Sequence, residues 1–150
     1  MDDTGNTCSQ LNNCLFFSAG KLARVIGKTA DDAFSITGLS PSHAFLLHIV
    51  NQNNGIHQKI IGEMLHMTPS TITRFVEKLE NKGLVTRKAD GKNVHLFTTE
   101  KGTKLQPVII AAWHSLHNSY SEILTPVESE QFIITVNKLI MKLEEIRSQE

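Results

Sequence analysis

Cysteine is nearly missing from this 150-residue chain: Cys8 and Cys14 are the only two. They are too few and too close together for the disulfide framework of a small secreted domain. No window approaches the roughly eighteen apolar residues of a membrane span. The start, MDDTGNTCSQ, is acidic and polar rather than a basic stretch before an apolar run. These absences predict a soluble, cytoplasmic protein with no membrane partner. Also missing are a nucleophile elbow, a glycine-rich phosphate loop, a metal-ligand cluster and a carboxylate pair. The expectation is therefore not an enzyme, with no metal and no cofactor.

Net charge is absent as well, with fifteen basic and fifteen acidic residues. The distribution is uneven, however. Residues 55–104 hold nine Lys/Arg against five Asp/Glu, a local excess of +4, and the flanks carry the compensating −4. A basic centre between acidic ends suits a nucleic-acid reader held on a separate scaffold.

What is present is mainly helical periodicity, with 40% hydrophobic residues to build a core. Leu11, Leu15, Leu22, Val25, Ile26 and Ala33 predict one amphipathic helix over 10–36. Ser40 and Pro41 give an N-cap and first-position proline for a second, which stops at NQNNG. HQKIIGEMLH (57–66) reads as a short third helix, and Thr68-Pro69 repeats the start signal for a fourth over 69–82, with Gly83 as its C-cap. LVTRKA and NVHLFTT then read as strands joined across Asp90-Gly91. Thr99 caps a long helix carrying Leu105, Ile109, Trp113, Leu116, Tyr120 and Leu124, with Pro107 near its first turns. Thr125, Pro126 and Glu128 form a capping box for a last helix with the stripe Phe132, Val136, Leu139, Leu143 and Ile146.

A short helix, a turn, and a helix opening with hydroxyl residues form the helix-turn-helix pattern, whose second helix enters the major groove N-terminus first. Ile72, Phe75, Val76 and Leu79 fall on its inner face, leaving Ser70, Thr71, Thr73, Arg74 and Lys78 outward. Arg74 can pair with guanine O6 and N7, the hydroxyls reach bases or phosphates, and Lys78 suits a phosphate. With the helix start at Thr68 and with Lys88 and Lys92 on the hairpin, these are the expected DNA-binding residues. The predicted fold is mainly α: a winged helix-turn-helix with a small β-hairpin wing and long N- and C-terminal dimerisation helices. The single chain 1–150 then divides into a helical dimerisation region, 10–36 and 100–148, and a DNA-binding region, 40–99. Long amphipathic helices without a partner inside a small winged module pack most economically with each other and with a second copy.

The run Thr71–Arg87 (TITRFVEKLENKGLVTR), the strand end Phe97–Gly102 (FTTEKG) and Leu124–Glu128 (LTPVE) resemble the recognition helix, wing exit and final helix of the MarR family of transcriptional regulators. The resemblance implies a homodimeric repressor on double-stranded DNA, with recognition helices spaced for successive major grooves of a pseudo-palindromic operator. The wing, Lys88 to Asn93, lacks the arginine that many members carry at its tip, and Lys92 is the nearest substitute.

The segment Gln10–Ala19 (QLNNCLFFSA) resembles the cysteine segment of the family's oxidant and organic-hydroperoxide-sensing branch. This implies that oxidation of Cys14 lifts repression, with Cys8 as a second thiol from the same chain or the partner. The branch typically surrounds its cysteine with tyrosines, whereas the only tyrosine here is Tyr120. Lys21, Lys28 or His43 are the candidates to activate the thiol instead. The alternative signal is a small aromatic effector bound among Phe16, Phe17, Phe45, His43 and Trp113. His114 and His117, and His43 and His48, lack the companions of a metal site. A helical adaptor that binds only protein is the alternative of another class.

Overall fold

Two asparagines divide the first amphipathic stretch. The computed structural model, which describes residues 3–150, has helix α1 over Thr4–Asn12 and α2 over Leu15–Phe34, with Asn13 and Cys14 between them. The single helix expected over 10–36 is therefore corrected. Apolar spacing runs on from Leu11 to Leu15, but the Asn12 carbonyl accepts the Ser18 hydroxyl at 2.9 Å. Cys14 takes extended backbone, φ −89° and ψ 119°, as the N-cap residue of α2 rather than lying within a helix. Asparagine favours such local alternatives to the helical ladder. A single 3-10 turn, Ser35–Thr37, follows α2 and closes on Gly38 at φ +71°.

Helix α3, Pro41–Gln52, starts as its sequence requires, with the Ser40 hydroxyl accepting the His43 amide. It buries His43, Ala44, Leu46, Leu47, Ile49 and Val50 and forms the middle of the core. Phe34 packs edge-on against Phe45 at 5.3 Å between ring centroids, and Phe45 against Trp113 at 4.9 Å. A side chain of this size contributes about 1.5–3 kcal/mol when fully buried.

After α3 comes a strand that the sequence does not announce, β1, Ile56–His57. Helix α4 (Gln58–Leu65) and helix α5 (Pro69–Asn81) follow, separated by a turn in which His66 sits in the left-handed region at φ +56°. Strands β2 (Val85–Asp90) and β3 (Asn93–Thr98) form the hairpin, and β1 joins it so that the antiparallel order is β1-β3-β2. Ile56 pairs with Leu96, and Asp90 with Asn93. The turn is therefore Gly91-Lys92, one residue later than Asp90-Gly91. Gly91 has φ +60° and Lys92 does not have positive φ, which is the pattern of a type II′ hairpin with glycine first.

Helix α6, Glu100–Ser121, starts against the base of this sheet, with the Thr99 hydroxyl accepting the Gly102 amide at 3.1 Å. Gly102 is required there: a Cβ would lie 2.2 Å from the Leu84 carbonyl oxygen and 2.6 Å from Thr98 Oγ1. Asn51 Nδ2 donates to the Gly102 carbonyl at 3.1 Å and to Gln106 Oε1 at 2.8 Å. Leu124, expected on this helix, lies beyond its end.

The chain forms two compact units, Met1–Trp113 and His114–Glu150. The first holds the core just described. The second contains α7, Pro126–Ser148, whose capping box is complete, yet which has no buried residue along its 23 residues. No single helix among the described residues is long and apolar enough to cross a membrane.

Candidate nucleic-acid interface

One face of α5 is fixed by the core: Ile72, Val76 and Leu79 are buried. Phe75, expected inward with them, is half-buried and stacks on the His43 ring at 4.1 Å between centroids. His43 also bonds Ser40 through Nδ1. Burial first, and then the ammonium groups of Lys78 and Lys82, hold the His43 pKa below its usual 6.5. The ring is therefore a neutral structural contact beneath α5, with its polar and aromatic sides committed to Ser40 and Phe75.

The other face carries Ser70, Arg74 and Lys78, all exposed. Thr68 acts as the N-cap, its Oγ1 accepting the Thr71 amide at 3.4 Å while donating to Thr71 Oγ1 at 3.0 Å. The Thr71 oxygen also receives Arg74 Nη2 at 3.4 Å, so the guanidinium is held along the first two turns. Thr73 differs from its neighbours, because its hydroxyl is used inside the protein. It donates to the Pro69 carbonyl at 3.0 Å and accepts from Gln58 Nε2 at 3.1 Å.

On the wing, Lys92 occupies the two-residue turn and is exposed, whereas Lys88 lays its ammonium over the Phe97 ring, 5.0 Å from the centroid. Arg87 Nη2 meets Glu80 at 3.0 Å and ties β2 to α5. A cleft of about 760 Å³ opens between α4, the start of α5 and the wing, lined by Lys59, Thr68, Lys92 and Asn93 among others. Ser70, Thr71, Thr73, Arg74 and Lys78 thus share one helix, capped by Thr68, beside a wing turn that carries Lys92. Two residues at this face were missed in the sequence. Lys59 was visible only as one charge in the basic segment, and Gln58 has no sequence signal because its role rests on a contact to Thr73, fifteen residues away.

The remaining candidates lie elsewhere. Cys8, in α1, and Cys14, at the start of α2, are both free and exposed. The Cys8 sulfur accepts from Asn12 Nδ2 at 3.6 Å. In the second unit the Tyr120 ring meets His117 edge-on at 5.4 Å, and His114 is exposed.

The MarR family model matches residues 39–93, from the start of α3 to the wing turn. The uncharacterized HTH-type transcriptional regulator YybA of Bacillus subtilis is 29% identical over 100 residues, covering 65% of this chain and 67% of its own. SarZ of Staphylococcus epidermidis, an HTH-type transcriptional regulator, is 24% identical over 137 residues, 89% of this chain and 91% of its own. The crystal structure of an S. aureus MepR–DNA complex shares the fold, with a TM-score of 0.76 at 20% identity over 87% of this chain and 98% of that one. The MarR family model thus matches the winged segment, and the relatives that extend along more of the chain are HTH-type transcriptional regulators.

Proposed function

We propose that the chain acts in the cytoplasm as a homodimeric repressor on a pseudo-palindromic operator, placing one α5 helix in each half-site. The observation that carries this reading is the division of α5 into a face locked by Ile72, Val76 and Leu79 and an exposed face with Ser70, Arg74 and Lys78, beside the Lys92 turn. The DNA contacts are assigned to Thr68, Ser70, Thr71, Thr73, Arg74, Lys78, Lys88 and Lys92. Residues 40–99 read DNA, and 10–36 with 100–148 pair two copies. The exposed apolar side chains of α7, including Phe132, Ile133, Ile134 and Leu143, support pairing, because a helix that buries nothing gains little from folding alone.

The test is selection of binding sites from random duplexes. Arg74→Ala should weaken the selected site by about 10- to 100-fold, the value of a bidentate guanine contact. Lys92→Ala should lower affinity for all sequences and reduce the salt slope by about one. Absence of sequence-selective binding by the wild type would sink the proposal, and a protein-only adaptor would show no such salt dependence.

For the signal, we infer oxidation of Cys14. Its exposure at the head of α2, with exposed Cys8 one helix earlier, supports this reading. A hydroperoxide transfers one oxygen to the thiolate, giving a sulfenic acid and an alcohol; a second thiol, Cys8 of the same chain or the partner, then displaces water to form a disulfide. The aromatic-effector alternative is less well supported. Phe45 and Trp113 pack on each other, His43 packs on Phe75, and Phe16 is 88% exposed. Organic hydroperoxide should release DNA from the wild type and leave Cys14→Ser bound; equal release from both would discard Cys14 as the sensor.

A further inference from the structure

Gln58 opens α4 with its side-chain amide turned toward the recognition helix. Hydrogen-bond roles there are fixed by chemistry. The Pro69 carbonyl can only accept, so the Thr73 hydroxyl donates to it, and Thr73 Oγ1 must then accept from Gln58 Nε2. The other end of the amide, Gln58 Oε1, is fully buried, and no donor among the described residues reaches it. With the amide turned over, Oε1 would face Thr73, whose hydroxyl would have to leave the Pro69 carbonyl to donate to it. A buried polar atom without a partner lowers the stability of the free protein, and an apolar side chain of the same length would avoid that loss.

The arrangement accomplishes one thing: it holds the Thr73 oxygen inward, against Pro69 and Gln58, on a residue that remains partly exposed among Ser70, Thr71 and Arg74. With the oxygen committed, what Thr73 can offer to a groove is its methyl group. A methyl at a base edge matches the C5-methyl of thymine, the one apolar feature of the major groove.

We propose that Gln58 is a specificity-determining positioning residue that holds the Thr73 hydroxyl inward, making the Thr73 methyl an apolar reader of a thymine C5-methyl in each half-site. The proposal rests on the DNA-reading role assigned to α5. It places one contributor to sequence choice on α4, outside the recognition helix.

The experiment uses the full-length protein and a duplex selected by the wild type from a random pool, with each thymine replaced in turn by deoxyuridine, which removes only the C5-methyl. One position per half-site should weaken wild-type binding by about fourfold, the value of one buried methyl group. Gln58→Met should lose that sensitivity while keeping the wild-type salt slope and a melting temperature no lower than wild type. Thr73→Ser, which keeps the hydroxyl bonds and lacks the methyl, should be equally indifferent to deoxyuridine and supplies the test if Gln58→Met does not fold. Sequence-selective wild-type binding with no thymine-sensitive position, or variants as sensitive as wild type, overturns this inference and leaves the DNA-reading role standing. No sequence-selective binding by the wild type overturns both.

Discussion

Thr68-Pro69 and Thr125-Pro126 start α5 and α7 by the same device, a threonine hydroxyl accepting the amide three residues on, Thr71 at 3.4 Å and Glu128 at 3.2 Å. Beyond the first turn the two helices part. Over 13 residues α5 buries Ile72, Val76 and Leu79, whereas α7 over 23 residues buries none. A cap satisfies the amides that every helix start leaves open, whatever follows it. Packing determines the rest. The face of α5 has its complement in the same unit, whereas the apolar stripe of α7 stays exposed.

The comparison can be broken most forcefully on α7. Leu139→Glu should convert a dimer to a monomer by light scattering and weaken operator binding by at least about 100-fold, since both half-sites must be held at once. An unchanged mass would show that α7 does not pair two copies. On α5 the corresponding damage is internal. Leu79→Ala should cost about 2–5 kcal/mol in chemical denaturation.

Smaller changes sharpen the contrast. Thr68→Ala should cost about 1 kcal/mol and appear in the global unfolding transition, because α5 is part of the core. Thr125→Ala should instead appear as faster amide exchange confined to the first turns of α7. The smallest effect is set by His43, whose ring is neutral in the fold because burial, helped by Lys78 and Lys82, disfavours its charge. The unfolded chain takes up the proton more readily, so this contribution is complete above pH 6.5 and is lost as the pH falls from 6.5 toward the folded value. His43→Gln should flatten the melting temperature between about pH 5 and about pH 7; an unchanged slope would assign the acid sensitivity to another group.

Local signals were legible in the sequence and non-local ones were not. Ser40-Pro41, Thr68-Pro69 and the Thr125–Glu128 capping box each act within four residues, and each starts a helix where it was expected. The hairpin was legible to within one residue: Asp90-Gly91 marked the turn, and the ladder extends to Asp90 and shifts it to Gly91-Lys92. Strand β1 is two residues long and exists only through its pairing with β3 some forty residues later, so no periodicity could show it. The break at Asn13-Cys14 was hidden by an apolar stripe that runs through it. At the candidate interface the outward set on α5 followed from helical spacing, while the inward commitment of the Thr73 hydroxyl depends on Gln58 and needed the folded chain.

Gly102 has a mechanical consequence. The first turn of α6 touches the Leu84 carbonyl through backbone, and Lys101 Nζ and Thr99 Oγ1 bond the carbonyls of Lys82 and Gly83 beside it. Side chains at a contact can change rotamer and absorb a small displacement; main chain resting on main chain has no such slack. The start of α6 is therefore seated directly on the chain that leads into β2, and the fit depends on the absence of one methyl group.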